Sequence, residues 1–285
     1  RLETMRHFTR EIVRQAARHI LSLSGGKDSA ALAIYMRDRV PEMEYIFSDT
    51  RKELPETYEY LDRISSYLGR PVTRLNADLG FDHWYHMYGG MIPSNHRRWC
   101  TRALKLKPFE QHCGDDEVIN YVGLRADEAR SGYISHKGNI TAVYPFKEDG
   151  LVLRDIENIL KTSGVGMPPY TKWGRTRSGC YFCFYQQKIE WVRLKETYPE
   201  LYEQAKEYEK PFEKTGNFFT WSRGESLAEL EQPERVEQIK REHVIRIERK
   251  AARRENATLM EVFASAEAIE EPEDDDDQGC LVCQL

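Results

Sequence analysis

A short segment near the start of the chain contains residue types that bind anions. Its glycines let the backbone turn sharply and approach a ligand closely, and its lysine supplies a mobile positive charge. Backbone N–H groups at a helix start add the positive end of the helix dipole. The segment therefore predicts a phosphate-binding loop, the alternative being a glycine-rich turn without a ligand. Its residues are Ser24, Gly25, Gly26, Lys27, Asp28 and Ser29.

The cysteines form a second group with chemical potential. Cys180 and Cys183 are spaced Cys-x-x-Cys, so both sulfurs can reach one metal ion or cluster. Cys100 begins a predicted helix after two arginines, a setting that favours the thiolate. A second Cys-x-x-Cys pair, Cys280 and Cys283, could complete a four-thiolate zinc site with the first. Packed, unreactive thiols are the remaining alternative.

Aromatic and basic residues alternate in two stretches. Such mixtures bind single-stranded nucleic acid by stacking and charge, but they also form the core and rim of an insertion. The first stretch contains Phe81, His83, Trp84, Tyr85, His86, Tyr88, His96, Arg97, Arg98 and Trp99, and the second contains Lys172, Trp173, Arg175 and Arg177.

Composition limits the class of protein. The chain has 285 residues, 40% hydrophobic and 31% charged, which predicts a globular protein with a sizeable core. We find neither an apolar run of transmembrane length nor a secretory signal, so we expect a cytoplasmic protein without membrane contact. Much of the net charge of −5 comes from the acidic stretch 270–277. The rest of the chain is nearly neutral, which permits a polyanionic partner without requiring one.

Strand and helix patterns alternate through the first half of the chain. This alternation predicts an α/β fold with a doubly wound parallel sheet. We expect strands at 19–23, 45–47, 72–75 and 118–124 and helices at 28–39, 55–68 and 101–112. Further helices are predicted at 187–198, 200–208 and 233–256.

The organisation predicted from these patterns has three parts. Residues 1–190 form the nucleotide-binding α/β domain with its cysteine site, and residues 191–268 form a helical extension. Residues 269–285 form an acidic flexible tail that carries Cys280 and Cys283.

Several segments together resemble the PP-loop ATP pyrophosphatase superfamily, whose fold is adenine nucleotide alpha hydrolase-like. Within it the chain is similar to phosphoadenosine phosphosulfate (PAPS) reductases and to the Dnd and Ssp proteins of DNA phosphorothioation. The resemblance covers about residues 19 to 190. The segments that carry it are Ser24–Ser29, Ser48–Thr50, Glu53–Tyr58, Arg98–Thr101, Leu104, Lys105, Pro108, Gly123–Arg125, Glu128, Arg130 and Ser178–Cys183.

This resemblance implies a set of site residues. It implies ATP and Mg²⁺ at the loop, with Lys27, Asp28 and Arg125 as catalytic residues. It also places Asp49 near the adenosine and makes Lys105 and Gly123 part of the nucleotide site.

By the same resemblance Cys100, Cys180 and Cys183 would hold an iron–sulfur cluster of the [4Fe–4S] type. The fourth ligand stays open between Cys113, a tail cysteine, and no protein group at all.

The function implied is an ATP-dependent sulfurtransferase that adenylylates an acceptor and releases pyrophosphate. A cysteine desulfurase would supply the sulfur and nucleic acid, specifically the DNA backbone, would accept it. The printed sequence does not contain the Glu-Cys-Gly-[Leu/Ile]-His segment of the reductases. Reduction of PAPS or adenosine phosphosulfate is therefore the alternative, together with a non-catalytic binding subunit. The sequence also leaves a homodimer open.

Overall fold

The computed structural model describes residues 17–76, 79–129, 132, 135, 137–211, 216 and 218–256, with only the backbone described from 250 onward. Contacts between residues divide these into two compact units. The first unit contains the described residues up to Tyr88 and from His96 to Tyr181, and the second contains Gly89–Asn95 and the described residues from Phe182 onward.

The first unit is built on a five-stranded sheet in which every pair of neighbouring strands is parallel. The strand order is β3-β2-β1-β4-β5, so the chain winds outward from β1 in one direction and then in the other. The confirmed fold is α/β and doubly wound. The strands are β1 (Arg18–Ser22), β2 (Glu44–Asp49), β3 (Val72–Asn76), β4 (Val118–Tyr121) and β5 (Ile140–Val143).

Both units contain helices. Those of the first unit are α1 (Lys27–Met36), α2 (Pro55–Leu68), α3 (Phe81–Met87), α4 (Trp99–Thr101), a π-helix (Arg102–Leu106), α5 (Lys107–Cys113), α6 (Pro145–Glu148), α7 (Leu153–Thr162) and a 3₁₀ turn (Pro169–Trp173). Those of the second are α8 (Lys188–Thr197), α9 (Pro199–Lys206), α10 (Leu227–Leu230) and α11 (Pro233–Asn256). Within the described residues, we find no helix with the length and apolar character needed to span a bilayer.

Alternating side chains of the strands fill two cores, one on each face of the sheet. Leu21 and Tyr45 belong to the core that contains the apolar residues of α1, α2 and α7. Ile20 and Ile46 belong to the opposite core, with Phe109 of α5. Helices cover both faces of the sheet, so residues pointing to either face of the central strands β1 and β2 are buried.

Helix α2 shows how local sequence sets an element. Pro55 occupies its first turn, where a missing N–H costs nothing, and Gly69 ends it in the left-handed region at φ 65°. The buried residues recur at helical spacing and form one face: Thr57, Tyr60, Leu61, Ile64 and Leu68.

The structure corrects several predicted elements. Strand β4 ends at Tyr121 rather than at Leu124, and the helix predicted at 101–112 begins at Trp99 and contains a π-helical turn. The sequence analysis does not predict strand β5, the helices α3, α6, α7 and α10, or the 3₁₀ turn. The signal for α7 was present, because Ile156, Ile159 and Leu160 have helical spacing and pack into the core.

The second unit has an aromatic core of its own. Trp221 stacks on Phe182 at a ring distance of 4.9 Å, and its indole N–H donates to the carbonyl of Ala205 at 2.9 Å. Glu209 accepts backbone hydrogen bonds from Trp221 at 2.9 Å and from Leu227 at 2.7 Å. Burial raises the pKa of this carboxyl, and the two backbone donors oppose that effect. The predicted division into domains 1–190, 191–268 and 269–285 stays a prediction.

Candidate nucleotide site of the first unit

The loop between β1 and α1 is braced by its own hydroxyls. The Ser24 N–H donates to Ser29 Oγ at 3.1 Å, and the Ser29 hydroxyl donates to the Gly26 carbonyl at 3.2 Å. The Lys27 N–H points to the hydroxyl of Tyr170 at 3.4 Å. These contacts fix the loop at the N-terminus of α1, where backbone N–H groups favour an anion.

The backbone conformation and close packing favour glycine at Gly25, and a side chain at Gly26 would displace neighbouring serine hydroxyls. Gly25 has φ +71°, and a Cβ there would lie 2.6 Å from Thr57 Cγ2. At Gly26 a Cβ would lie 2.9 Å from Ser178 Oγ. Part of the glycine pattern therefore reflects close approach within the protein itself.

A second loop, which follows β4, contacts the first. Arg125 Nη1 donates to Asp28 Oδ1 at 2.7 Å, and Lys27 Nζ lies 3.4 Å from the other oxygen of Asp28. Arg125 also pairs with Asp127 at 2.9 Å and Glu128 at 3.2 Å. Burial disfavours the charge of Arg125, but these carboxylates outweigh it and the pKa of the guanidinium is raised.

Gly123 has no side chain, which allows the two loops to approach each other closely. A Cβ at Gly123 would lie 3.0 Å from the backbone carbon and oxygen of Asp28. The two loops flank the position between β1 and β4 where the direction of winding reverses. In doubly wound sheets ligands bind at this reversal, outside the carboxyl ends of the strands.

The end of β2 supplies a polar cluster. Asp49 Oδ1 accepts from the Arg51 N–H and from the Tyr58 hydroxyl, both at 2.8 Å. The adjacent Thr50 hydroxyl donates to Glu53 Oε1 at 2.9 Å, and Cys180 Sγ lies 3.2 Å from that hydroxyl.

Glu53 is a buried group that the sequence analysis did not assign to the site. Burial raises its pKa, with Lys105, Thr50 and Arg175 acting in the opposite direction. Lys105 lies buried in the π-helix, so its charge acts on this cluster. One sequence signal could have identified Glu53. It precedes the proline that begins α2, and a carboxylate at such a position can reach back to residues at the end of the preceding strand.

The second aromatic and basic stretch is partly structural. Arg175 is only 2% exposed, and its Nη2 donates to the Cys180 carbonyl at 2.7 Å. The indole N–H of Trp173 donates to Glu56 at 2.8 Å. Arg175 therefore holds the cysteine segment and is not part of an exposed basic patch.

The rings of the first stretch pack mainly on one another. Trp99 lies 5.0 Å from Phe81 and stacks on Tyr88 at 5.3 Å, measured between ring centroids. Phe81, Tyr85 and Trp99 are buried. For these rings the core alternative fits the structure.

The cysteines occupy different surroundings. Cys100 lies half-buried in α4, Cys180 lies beside Thr50, and Cys183 is half-buried in the second unit. Cys113 is fully buried in the core, where burial raises the pKa of its thiol to about 11. Cys113 is therefore a packed thiol and not a suitable fourth ligand.

Metal ligation by Cys100, Cys180 and Cys183 stays a prediction. Within the part of the chain that the structure describes, no group of three or more His, Cys, Asp or Glu side chains is placed to hold a metal ion. Cys280 and Cys283 lie outside the described residues. No step is therefore assigned to a cluster below.

Comparison with known proteins relates part of the first unit to a known family. The family model of the phosphoadenosine phosphosulfate reductase domain matches residues 18–146, which contain both loops and the end of β2. An uncharacterized protein of Methanocaldococcus jannaschii is 26% identical over 192 residues, which cover 64% of this chain and 45% of that protein. The adenosine 5'-phosphosulfate reductase of Staphylococcus haemolyticus is 26% identical over 111 residues, 39% of this chain and 45% of that enzyme.

The chain thus spans less than half the length of these two relatives. A solved phosphoadenylyl-sulfate reductase from Candida auris, in complex with phosphate, superposes with a TM-score of 0.47 and 14% identity, covering 60% of this chain and 86% of the other. The family model shows that residues 18–146 are similar to a PAPS reductase domain.

Proposed function

We propose that the chain is an ATP-dependent sulfurtransferase that binds its nucleotide between the loop 24–29 and the loop that follows β4. The observation that carries this proposal is the hydrogen bond of 2.7 Å between Arg125 and Asp28, which come from the two loops. It joins them at the reversal of the sheet, where nucleotides bind in doubly wound folds.

The charges around the loop suit the release of pyrophosphate. Lys27 and the N–H groups of Gly25 and Gly26 would stabilise the negative charge that develops on the leaving group. Arg125 would contact a second phosphate. Mg²⁺ is usually held by substrate phosphates with one or two carboxylates, and Asp28 is the carboxylate of this loop. Asp49, at the end of the neighbouring strand, would lie near the adenosine.

In the first step an oxygen of the acceptor attacks the α-phosphorus of ATP, and the bond to pyrophosphate breaks. The acceptor oxygen then leaves as part of AMP when sulfur attacks. We propose the DNA backbone as acceptor, as in phosphorothioation, with a cysteine desulfurase as the donor.

Cys180 is the proposed carrier of this sulfur because it lies beside the end of β2, in the same unit as the loop. The desulfurase would load it as a persulfide. Attack by the terminal sulfur releases AMP, and a second thiol then splits the sulfur–sulfur bond and forms a disulfide with the cysteine.

Reduction of adenylyl sulfate is the second candidate, and the family match to residues 18–146 favours it. In that reaction the loop would hold the sulfonucleotide and ATP would not be split. Sulfite would be the product, with a dithiol protein as electron donor.

A single set of assays separates the candidates. The protein is incubated with ATP, Mg²⁺, a cysteine desulfurase, ³⁵S-cysteine, a thiol reductant and DNA, and in parallel with PAPS or adenosine phosphosulfate and a dithiol protein. Pyrophosphate release that depends on DNA, with ³⁵S in the DNA, is expected. Sulfite release without loss of ATP would establish the reductase instead, and intact substrates in both mixtures would indicate a binding subunit.

A matched pair of variants links the activity to the loop. Lys27→Ala removes the loop cation, whereas Lys161→Ala removes an exposed lysine at the end of α7. Only the first should stop turnover. Equal activity of the two variants would contradict the assignment of the loop.

A further inference from the structure

The second unit contains a cavity that the nucleotide site does not explain. Its volume is about 500 Å³, and it lies between the segment 184–189, the segment 221–223 and one face of α11. Pockets of this size accommodate small organic ligands. All of its lining residues belong to the second unit, so it is separate from the loop 24–29.

Two arginines lie beside a histidine that lines this cavity. His243 lines it, with Arg193 Nη2 3.3 Å from its Nε2 and Arg246 Nη2 3.5 Å from its Nδ1. Guanidinium nitrogens only donate hydrogen bonds, and an imidazole offers one acceptor nitrogen when neutral and none when charged. At least one of these contacts therefore sets an N–H against another N–H. Arg246 Nη2 also donates to Gln187 Oε1, and an anion placed here would accept from the arginines in addition.

The other charged residues of the lining are partly balanced. Lys188, Arg223 and Arg246 line the cavity, Lys188 is paired with Glu225, and Glu242 is the carboxylate among the lining residues. The Glu242 side chain is 55% exposed and accepts a hydrogen bond from Gln238 at 2.7 Å. Solvent therefore screens Glu242 more than it screens the partly buried histidine and Arg193.

The cavity also has aromatic lining residues, one of which is held in place by its own contacts. Trp221 and Phe184 line the cavity, and Trp221 is held by its stack on Phe182 and its hydrogen bond to Ala205. A flat side chain held in one orientation can contact a planar ring without a further loss of conformational entropy. The lining thus combines groups that suit an anion with groups that suit a ring.

The titration behaviour of His243 agrees with this geometry. Burial lowers its pKa, Arg193 and Arg246 lower it further, and Glu190 opposes them. Glu190 itself accepts a hydrogen bond from the Gln187 N–H at 3.0 Å. A bound anion would offset the two arginines and favour the protonated imidazole.

We propose that this cavity is a second nucleotide site, with a phosphate group against Arg246 and His243 and the base against Trp221 and Phe184. The phosphate and base belong either to a free mononucleotide or to a residue of single-stranded nucleic acid. This site does not depend on the function proposed for the loop 24–29, since the two lie in different units.

The test measures binding by calorimetry in the Lys27→Ala background, which removes the loop cation. The probes are AMP, adenosine, inorganic phosphate and an oligothymidylate. The matched variants are Arg246→Ala and Arg241→Ala, because both residues are exposed arginines of α11 and Arg241 does not line the cavity.

Loss of a charge-assisted hydrogen bond should weaken the binding of a phosphate-bearing probe about tenfold or more in Arg246→Ala. Arg241→Ala should leave it unchanged, and Arg246→Lys should restore part of it. Adenosine should bind more weakly than AMP. Binding of AMP and of the oligomer would indicate a mononucleotide source, and binding of the oligomer alone would indicate nucleic acid.

Several results would overturn the proposal. These are no binding of AMP or oligomer, adenosine binding as tightly as AMP, or equal effects of Arg246→Ala and Arg241→Ala in folded proteins. Circular dichroism and thermal melting of each variant establish that the comparison concerns folded chains. His243→Gln, which keeps a polar side chain without a positive charge, provides a second variant if Arg246→Ala fails to fold.

Discussion

The two units place arginine in opposite electrostatic settings. In the first, Arg125 lies against the carboxylates of Asp28, Asp127 and Glu128. In the second, Arg193 and Arg246 approach the two nitrogens of His243. The first arrangement satisfies its charges within the protein, whereas the second brings like charges and donors together.

This difference separates two ways of preparing an arginine to bind a phosphate. The Arg125–Asp28 pair joins two loops and fixes their geometry before any ligand arrives, so Lys27 is left as the main mobile cation of the loop. A bound anion would stabilise the cluster around His243. It would offset the repulsion between the two arginines and accept hydrogen bonds from N–H groups that face one another. The following changes test this comparison.

Lys27→Ala should have the largest effect. Loss of a preorganised donor at a developing charge typically costs about 10²–10³ in turnover, and we expect at least that loss in pyrophosphate release. Thermal stability should change little, since the side chain ends at a partly exposed ion pair with Asp28. Pyrophosphate release at the wild-type rate would remove the loop from the mechanism.

Gly123→Ala should disturb the pairing of the two loops. The new Cβ would meet the Asp28 backbone at 3.0 Å, and overpacking of this kind costs about 1–3 kcal/mol. We expect lower thermal stability and weaker nucleotide binding. Gly138→Ala is the control, because a Cβ there meets nothing within 4 Å. Identical behaviour of the two variants would mean that the loops can separate without consequence.

Glu225→Gln should have the smallest effect and acts on the second unit. Hydrogen bonds from Arg235 lower the pKa of Glu225 to about 2, burial opposes this, and Lys188 adds to it. The pair therefore stabilises the fold above the carboxyl's ordinary pKa, and the stabilisation fades as the pH falls toward 2. We expect the variant to be about 1 kcal/mol less stable at pH 7, with the difference shrinking below pH 4.5.

The same variant sharpens the comparison between units. Glu225 pairs with Lys188, which lines the cavity, so its neutral replacement should raise the affinity of the cavity for AMP. Denaturant titrations across the pH range measure the stability, and calorimetry measures the affinity. An unchanged stability difference down to pH 2 would contradict the assigned cause.

The sequence specified the fold because its signals are local. Apolar runs predict the positions of β1 through β4 approximately. The glycines of the loop 24–29 and the proline at the start of α2 mark where the first two helices begin. Strand β5 was missed because Ile140–Val143 is short and only one of its residues is fully buried. The π-helical turn at Arg102–Leu106 gives no pattern that distinguishes it from the α-helix that contains it.

The candidate site was predictable only in part. Motif spacing located Lys27, Asp28 and Arg125, but it did not show that Arg125 pairs with Asp28, because that contact joins residues 97 apart. Burial of Arg175 and Cys113 likewise depends on tertiary packing and not on neighbouring residues. The cavity of the second unit combines side chains from several separate segments, so no single motif marked it.

The central position of β1 also affects how the protein is made. His19 on β1 contacts Tyr121 on β4 at 2.8 Å, and these residues are 102 apart in the chain. During synthesis, the edge of β1 that pairs with β4 therefore has no partner strand until β4 has been made. Unpaired strand edges can form hydrogen bonds with other chains and cause aggregation. Parallel pairing over such a distance is also slow. We expect a fragment that ends at residue 117 to aggregate, and one that continues through β5 to remain dispersed in a sedimentation assay.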